Sequence, residues 1–164
     1  APRSGHAYPA PPLEASWGST GSGPGQMLGA SGIIRLIGSN AIFVTDTGNN
    51  RLLRYQFDGT FVAAMGGPGT GNGQFLGPRG IASNAIGTQL FIADTGNKRI
   101  RVVTPDGVIA TLAGNGSTTP TPDLVPALAA TFTTPVSLAV VPGGLLLADA
   151  GDHRIRYLES TPVA

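Results

Sequence analysis

The chain has 164 residues and a formal net charge of +1, from ten basic and nine acidic side chains. Only 12% of the residues are charged, against a usual share of about 25%, and without a basic run to contact phosphates we expect no nucleic-acid binding. The absence of cysteine excludes disulfides and thiolate metal sites, and no apolar run approaches the roughly 18 residues of a membrane-spanning helix.

Residues 1–12, APRSGHAYPAPP, are rich in proline and carry no charge apart from Arg3. This composition predicts an extended leader or linker. The chain shows neither an initiating methionine nor a signal-peptide pattern, which indicates a processed chain or a fragment.

From Leu13 onward the sequence repeats itself three times. The units begin at LEASWG, FVAAMG and IATLAG, and they span residues 13–60, 61–108 and 109–164. The third unit carries an insertion of seven residues within STTPTPDLVPALAATFTTP. A loop can lengthen in this way at small thermodynamic cost.

Each unit predicts four short β-strands. In the second unit the apolar runs are FVAAM, GIAS, LFIAD and RIRVVTP, with Gly, Pro, Asn and Asp between them. We expect Gly48 and Asn49, and likewise Gly96 and Asn97, to adopt the positive φ of a tight hairpin between the third and fourth runs. Because such a sheet cannot bury both faces alone, a period of 40–50 residues with four strands predicts an all-β β-propeller segment of three four-stranded blades.

The sequence Asp-Thr-Gly-Asn-x-Arg occurs in the first two units, and GNGQFLGPRGIA precedes it in the second. These residues resemble the NHL-repeat β-propeller family over residues 13–160, although the third unit departs at Ala150 and Asp152. The resemblance implies NHL-type blades and a ring of about six. Three blades would then be half of a ring that another copy or a partner completes; the alternative is a fragment of a longer propeller.

The repeated polar positions indicate a structural motif. Each aspartate is expected to accept hydrogen bonds from the turn and to pair with the arginine that follows it. An active site is normally singular, whereas this pair recurs in every unit, so we interpret it as a device that shapes the blade. The motif positions are Asp46, Asn49, Arg51, Asp94, Asn97, Arg99, Asp149 and Arg154.

Residues that carry chemistry are scarce. The two histidines are His6 in the leader and His153 in the third unit, and no nucleophile elbow, P-loop lysine or calcium loop is present. NHL-like amidating lyases hold a metal through several histidines, a set that this chain lacks. We therefore expect no catalytic residue, no metal, no cofactor and no enzymatic activity.

The remaining features favour a structural or protein-interaction scaffold. Exposed apolar faces on the end blades predict self-assembly into a homo-oligomer or fibre, or capture of a protein partner. Arg54, Arg101 and Arg156 are expected at matching positions of the fourth strand, as solvated edge residues that discourage edge pairing; the alternative is an array that could hold acidic partners or glycans. The alternative function is that of a longer propeller, either an enzyme of the lyase or hydrolase type or a ligand- or nucleic-acid-binding module.

The sequon at Asn115 lies in a Ser/Thr/Pro-rich stretch and is a candidate glycosylation site. Together with the low charge it favours an extracellular or cell-surface location.

Overall fold

The computed structural model describes residues 15–159, and the predicted leader at 1–12 lies outside this range. A short parallel pair, β1 (Ser19–Thr20) and β2 (Gln26–Met27), comes first. Blade 1 consists of β3 (Ala30–Arg35), β4 (Ala41–Asp46), β5 (Arg51–Gln56) and β6 (Phe61–Met65). Blade 2 consists of β7 (Pro78–Ser83), β8 (Leu90–Asp94), β9 (Arg99–Val103) and β10 (Ile109–Ala113). Blade 3 consists of β11 (Pro135–Val141), β12 (Gly144–Asp149) and β13 (Arg154–Glu159).

All pairing within the blades is antiparallel between neighbours in sequence, so each blade is a simple meander. Three one-turn 3-10 helices lie in the loops, at Thr47–Asn49, Thr95–Asn97 and Ala127–Ala129. No helix among residues 15–159 has the length and apolar character needed to cross a membrane. The all-β prediction is confirmed.

The sequence units and the blades are out of phase by one strand. The run FVAAM forms β6 and pairs with β5 of the preceding unit, and IATLA forms β10 in the same way. Asp58-Gly59 and Asp106-Gly107 provide the turns that fold each run back on its neighbour, since such dipeptides favour tight hairpins. The predicted boundaries after residues 60 and 108 therefore fall inside sheets, and the first strand of a unit is the outermost strand of the blade before it.

Three loops lead from one blade position to the next: connector 1 (residues 18–29), connector 2 (66–77) and connector 3 (114–134). Connector 3 is nine residues longer than connectors 1 and 2 and contains the added turn Ala127–Ala129, whereas the hairpin from the start of β11 to the end of β12 is two residues shorter than its counterparts; together these give the net insertion of seven. A loop between sheets can absorb such an insertion without disturbing a strand register.

Apolar side chains fill the space between adjacent blades. The core between blades 1 and 2 contains Ala41, Phe43, Leu52, Phe75, Leu90, Ile92, Val103 and Ile109. The core between blades 2 and 3 contains Ala93, Ile100, Ala113, Ala130, Phe132, Leu145 and Leu147. A third cluster, the leading face of blade 1, is formed by Ile42, Val44, Leu53 and Tyr55, with Met27 of connector 1 packed against it.

The innermost strands approach so closely that glycine is required. A Cβ on Gly32 of β3 would lie 2.4 Å from the carbonyl oxygen of Arg79 on β7. A Cβ on Gly80 of β7 would lie 2.5 Å from the carbonyl oxygen of Val136 on β11. Because both obstacles are backbone atoms, neither contact can be relieved by a rotamer change.

We expect Gly32→Ala to lower the free energy of unfolding by about 1–3 kcal/mol, because the added methyl group must push β3 and β7 apart. Gly67→Ala is the matched control: nothing lies within 4 Å of its Cβ position, and the expected change is within about 0.5 kcal/mol. Urea denaturation of both variants measures the difference. Equal stability of the two would contradict the close approach of the inner strands.

Candidate functional site

A buried carboxylate organises blade 1. Asp46 ends β4 with its side chain fully buried. Its Oδ1 accepts a hydrogen bond from the Leu28 N–H at 2.7 Å, and its Oδ2 accepts from Asn49 Nδ2 and Arg51 Nε, both at 2.8 Å. One side chain therefore fastens connector 1, the 3-10 turn and β5 to each other. Arg51 is the partner that the motif suggested for Asp46, whereas the other donors are the Leu28 amide and the Asn49 side chain and not the backbone amides of the turn that were expected.

Blade 2 repeats the network with a different arginine. Asp94 accepts from the Leu76 N–H at 2.7 Å, from Asn97 Nδ2 at 2.7 Å and from Arg101 Nε at 2.8 Å. The expected pairing of Asp94 with Arg99 is wrong, since Arg99 instead donates to backbone carbonyls.

The exchange of arginines has a geometric reason. Side chains two positions apart on a strand share a face, so the guanidinium of Arg101 can reach the carboxylate that Arg51 reaches in blade 1. Arg101 also donates to Thr111 Oγ1 at 2.6 Å and to the Thr70 carbonyl at 2.8 Å. In blade 1 the position of Arg101 is taken by Leu53, which is fully buried.

Blade 3 keeps the aspartate and loses the network around it. Asp149 accepts only from the N–H groups of Thr133 and Thr134, with shortest distances of 2.9 and 2.7 Å. Asp152 replaces the asparagine of the other blades and has no proton to donate. The expected pairing of Asp149 with Arg154 is wrong, because Arg154 lies 3.5 Å from Asp152 instead.

The turns after the second strands also differ from expectation. The left-handed residues are Asn50, Lys98 and His153, with φ of 55°, 53° and 54°, and not the preceding Gly-Asn pairs. Gly48 serves another purpose: its Cβ would lie 2.6 Å from the Leu28 carbonyl oxygen, which accepts the Gly48 N–H. The glycine is thus required by a close approach to connector 1.

The proposed arginine array does not form. Arg101 is 1% exposed and bound to Asp94. The strand register places Arg54 opposite Phe43, whereas Arg156 lies opposite Leu147, so the two occupy different positions of their blades. Arg156 faces Asp152 and Asp123, at 3.3 and 3.4 Å. The geometric basis for a repeated glycan- or acid-binding row is therefore absent from the described residues.

The side chain of Asn115 takes part in the fold of connector 3. Its Nδ2 donates to the Ala129 carbonyl at 3.0 Å, and its Oδ1 accepts from the Ser117 N–H at 2.7 Å. A glycan on Nδ2 would have to replace the first of these bonds. Glycosylation of Asn115 and an extracellular location stay predictions.

Polar side chains gather where connectors meet the innermost strands, and we name Ser31, Thr47 and Arg79 the inner-strand polar site. The Ser31 and Thr47 hydroxyl oxygens lie 2.7 Å apart and are exposed. Thr47 Oγ1 donates its single proton to the Pro78 carbonyl at 2.7 Å, so Ser31 donates to Thr47. Ser31 Oγ keeps its acceptor capacity free.

Arg79 adds a positive charge at the same place. Its carbonyl oxygen accepts a 2.6 Å hydrogen bond from Thr45 Oγ1, which joins β4 to β7. Its side chain is exposed and has no hydrogen bond or ion pair to another residue between 15 and 159. A guanidinium and a hydroxyl acceptor carried by adjoining backbone segments can together bind an anionic or hydroxylated ligand. The sequence gives no signal that distinguishes Arg79 from the other arginines, and only the strand packing singles it out.

Within residues 15–159 no group of three or more His, Cys, Asp or Glu side chains is placed to hold a metal ion. His153 lies in the blade 3 turn, at the left-handed position. No carboxylate or imidazole is hydrogen-bonded to Ser31. The chemistry that the polar site can perform by itself is therefore binding and orientation of a ligand.

Comparison with known proteins supports the fold. The chain matches no protein-family model and no curated protein sequence. A solved structure of unknown function from Bacteroides thetaiotaomicron is 20% identical, with a TM-score of 0.63 over 76% of this chain and 34% of that one. A candidate 6-phosphogluconolactonase from Bacteroides uniformis is 14% identical, with a TM-score of 0.59 over 82% of this chain and 38% of that one. A streptogramin B lyase is 19% identical, with a TM-score of 0.54 over 77% and 37%.

These structures establish the class: the chain has a β-propeller fold, as predicted. They do not single out the NHL type among propellers. The chain spans little more than a third of the length of the structures that it resembles. The expectation of no enzymatic activity is wrong as a deduction from this fold, because proteins named as a lyase and a candidate lactonase share it.

We expect Arg101→Ala to destabilise the protein by about 3–5 kcal/mol, because it leaves the buried Asp94 carboxylate without its charged partner. Arg99→Ala, two residues away on the same strand, should cost less than about 1 kcal/mol, since Arg99 makes only part-exposed bonds to backbone carbonyls. Thermal and urea denaturation measure both. A larger loss of stability in Arg99→Ala than in Arg101→Ala would instead support the pairing of Asp94 with Arg99.

We expect Asp152→Asn to raise the free energy of unfolding by about 1 kcal/mol, because an amide at this position can donate to Asp149 as Asn49 and Asn97 donate in their blades. Asp123→Asn removes the other acidic partner of Arg156 without touching Asp149, and it should be neutral. A loss of stability in Asp152→Asn would show that its surface ion pairs outweigh the missing donor.

Proposed function

We propose that the chain forms three blades of a β-propeller that binds and transforms a small organic ligand, in the manner of the lyase and lactonase class of propellers. The observation that carries the proposal is the inner-strand polar site. Arg79 directly follows Pro78, whose carbonyl accepts a hydrogen bond from the exposed Ser31–Thr47 hydroxyl pair, and its side chain forms no ion pair or hydrogen bond with another residue between 15 and 159. The inner strands otherwise present mainly glycine and apolar residues. Its chemistry fits a ligand with a carboxylate, phosphate or lactone oxygen.

The site's rigidity supports this assignment. Thr47 is fixed by the Pro78 carbonyl, and Arg79 is fixed through its own carbonyl by Thr45. Both bonds connect blade 1 to blade 2, so the Thr47 hydroxyl and the backbone that carries Arg79 are held by the same contacts that hold the blades together. Sites supported by strands in this way position a ligand more precisely than mobile loops do.

Binding without turnover is the second candidate. The partner of Ser31 favours it, because Ser31 donates to the neutral hydroxyl of Thr47, which is too weak a base to remove its proton. A catalytic acid or base would have to be supplied by residues outside the described range. Ligand titration combined with an assay of turnover separates the two candidates.

We expect the chain to bind gluconate in calorimetric titration, and Arg79→Ala to weaken that binding by about 10–100-fold, as for loss of a charge-assisted hydrogen bond. Arg35→Ala is the matched control. Arg35 is exposed at the opposite end of β3 and stacks 4.9 Å from the Phe57 ring. Equal affinities of the two variants, or no binding by the parent chain, would contradict the assignment; hydrolysis of glucono-δ-lactone would distinguish catalysis from binding.

A further inference from the structure

Connector 1 is a geometric copy of connector 2. In both, an asparagine of the following turn donates to a glycine carbonyl: Asn49 to Gly21 at 2.9 Å and Asn97 to Gly69 at 2.7 Å. The backbone angles agree as well. The φ values are 93° at Gly18 and 86° at Gly66, 148° at Gly21 and 153° at Gly69, and 71° at Gly25 and 78° at Gly73.

This agreement indicates which kind of strand precedes connector 1. Connector 2 begins at Gly66, directly after β6, the outermost strand of the blade before blade 2. Gly18 holds the same place in connector 1, and LEASW at 13–17 matches the FVAAM of β6. Segment 13–17 therefore has the sequence of an outermost strand and is followed by the connector that follows one. Blades 1 and 2 already have theirs, in β6 and β10.

A matching acceptor exists on blade 3. Within residues 15–159 the outer edge of β13 pairs with no strand. Beside it runs a groove of about 700 Å³ between β13 and connector 3, lined by Val125, Phe132 and Leu158. Phe132 precedes Pro135 as Phe75 precedes Pro78, and Phe75 packs in one core with Ile109 of the outermost strand of its blade. In the alignment of the repeats Leu13 corresponds to Ile109, so the sequence offers an apolar residue at the position that faces Phe75 in blade 2.

We propose that segment 13–17 of one copy pairs with the outer edge of β13 of a second copy, and that the reciprocal exchange closes two chains into one ring. Two copies of these three blades supply six, within the range of about four to eight in which propellers close. Main-chain hydrogen bonds along an exposed edge supply the contact, and the groove selects the apolar side chains.

The faces that the exchange brings together are complementary. Ile155 is 77% exposed on β13; its counterpart in blade 1 is Leu52, 1% exposed in the core between blades. Across the junction, the leading face of the second copy's blade 1 has an open apolar cavity of about 390 Å³ that includes Ile33 and Val44. The ring would bury Ile155 against that face.

Two substitutions make this junction looser than the others. Ser137 stands where Gly32 and Gly80 allow close approach, and Ala150 stands where Thr47 and Thr95 donate to the next blade. The inner strands must therefore lie farther apart between blade 3 and the second copy. The strand exchange at the outer edge carries the contact.

Cysteine cross-linking tests the register, because the chain contains no cysteine of its own. Leu52 pairs with Met65 in blade 1 and Ile100 with Ala113 in blade 2. Both registers place Ile155 opposite Trp17. Oxidised Trp17→Cys/Ile155→Cys should form a covalent dimer, and the out-of-register pair Trp17→Cys/Glu159→Cys should cross-link at least 10-fold less. Monomers, equal yields in both pairs, or a ladder of larger species would overturn the two-copy ring.

Sedimentation equilibrium supplies a second test without cysteines. We expect Ala15→Pro to weaken dimerisation by at least 10-fold, since proline removes a ladder hydrogen bond. Ala10→Pro in the leader should leave it unchanged. Circular dichroism establishes that both variants are folded. A dimer that Ala15→Pro leaves unaffected would overturn the proposal, and so would a parent chain that stays monomeric when its concentration is raised 100-fold. Neither result depends on ligand binding at Arg79.

Discussion

The buried aspartate at the end of the second strand is the interaction on which each blade depends. In blades 1 and 2 its two oxygens receive a connector amide, an asparagine amide and an arginine. A fully buried carboxylate is costly unless every lone pair finds a partner. The requirement specifies which connector conformation can accompany which turn, so the network fixes how the chain passes from blade to blade. Blade 3 meets the same requirement with two backbone amides alone.

Contacts between blades combine apolar burial with a few directional bonds near the inner strands. Thr45, Thr47 and Thr95 each donate to a carbonyl of the following blade, at 2.6 to 2.7 Å. Gly32 and Gly80 permit the approach that makes these bonds short. The apolar cores supply most of the free energy of burial, and the threonines set the angle at which one blade meets the next. The candidate ligand site depends on this arrangement because Ser31 and Arg79 belong to different blades.

The strands and their order could be predicted from sequence, because short branched runs between Gly, Asn and Asp clusters recur at a fixed interval. The strands were assigned to blades with an offset of one strand, because a repeated sequence does not show where each unit begins. The Asp58-Gly59 turn was the signal that β6 pairs with β5. Asp46 and Arg51 could be suggested as a pair because only one tight turn separates them, but the connector amide that also binds Asp46 comes from a residue 18 positions earlier and left no signal in the motif. Arg99 was expected to pair with Asp94 because it stands at the position of Arg51 in the sequence alignment of the repeats. Arg99 and Arg101 lie on the same face of β9, so either could have paired with Asp94, and the alignment could not decide between them. Arg79 could not be singled out, since its setting arises from contacts between blades.

The one-strand offset between repeats and sheets has a mechanical consequence. The second and third repeats each contribute their first strand, β6 or β10, to one sheet and their remaining strands to the next, so the covalent chain connects neighbouring sheets at their outer edges. If one sheet unfolded, it would release the strand that the adjoining repeat contributes to it, and the apolar cores on both of its faces would become exposed. We therefore expect the three blades to unfold in one cooperative transition, in contrast to linear repeat arrays in which single repeats can unfold separately.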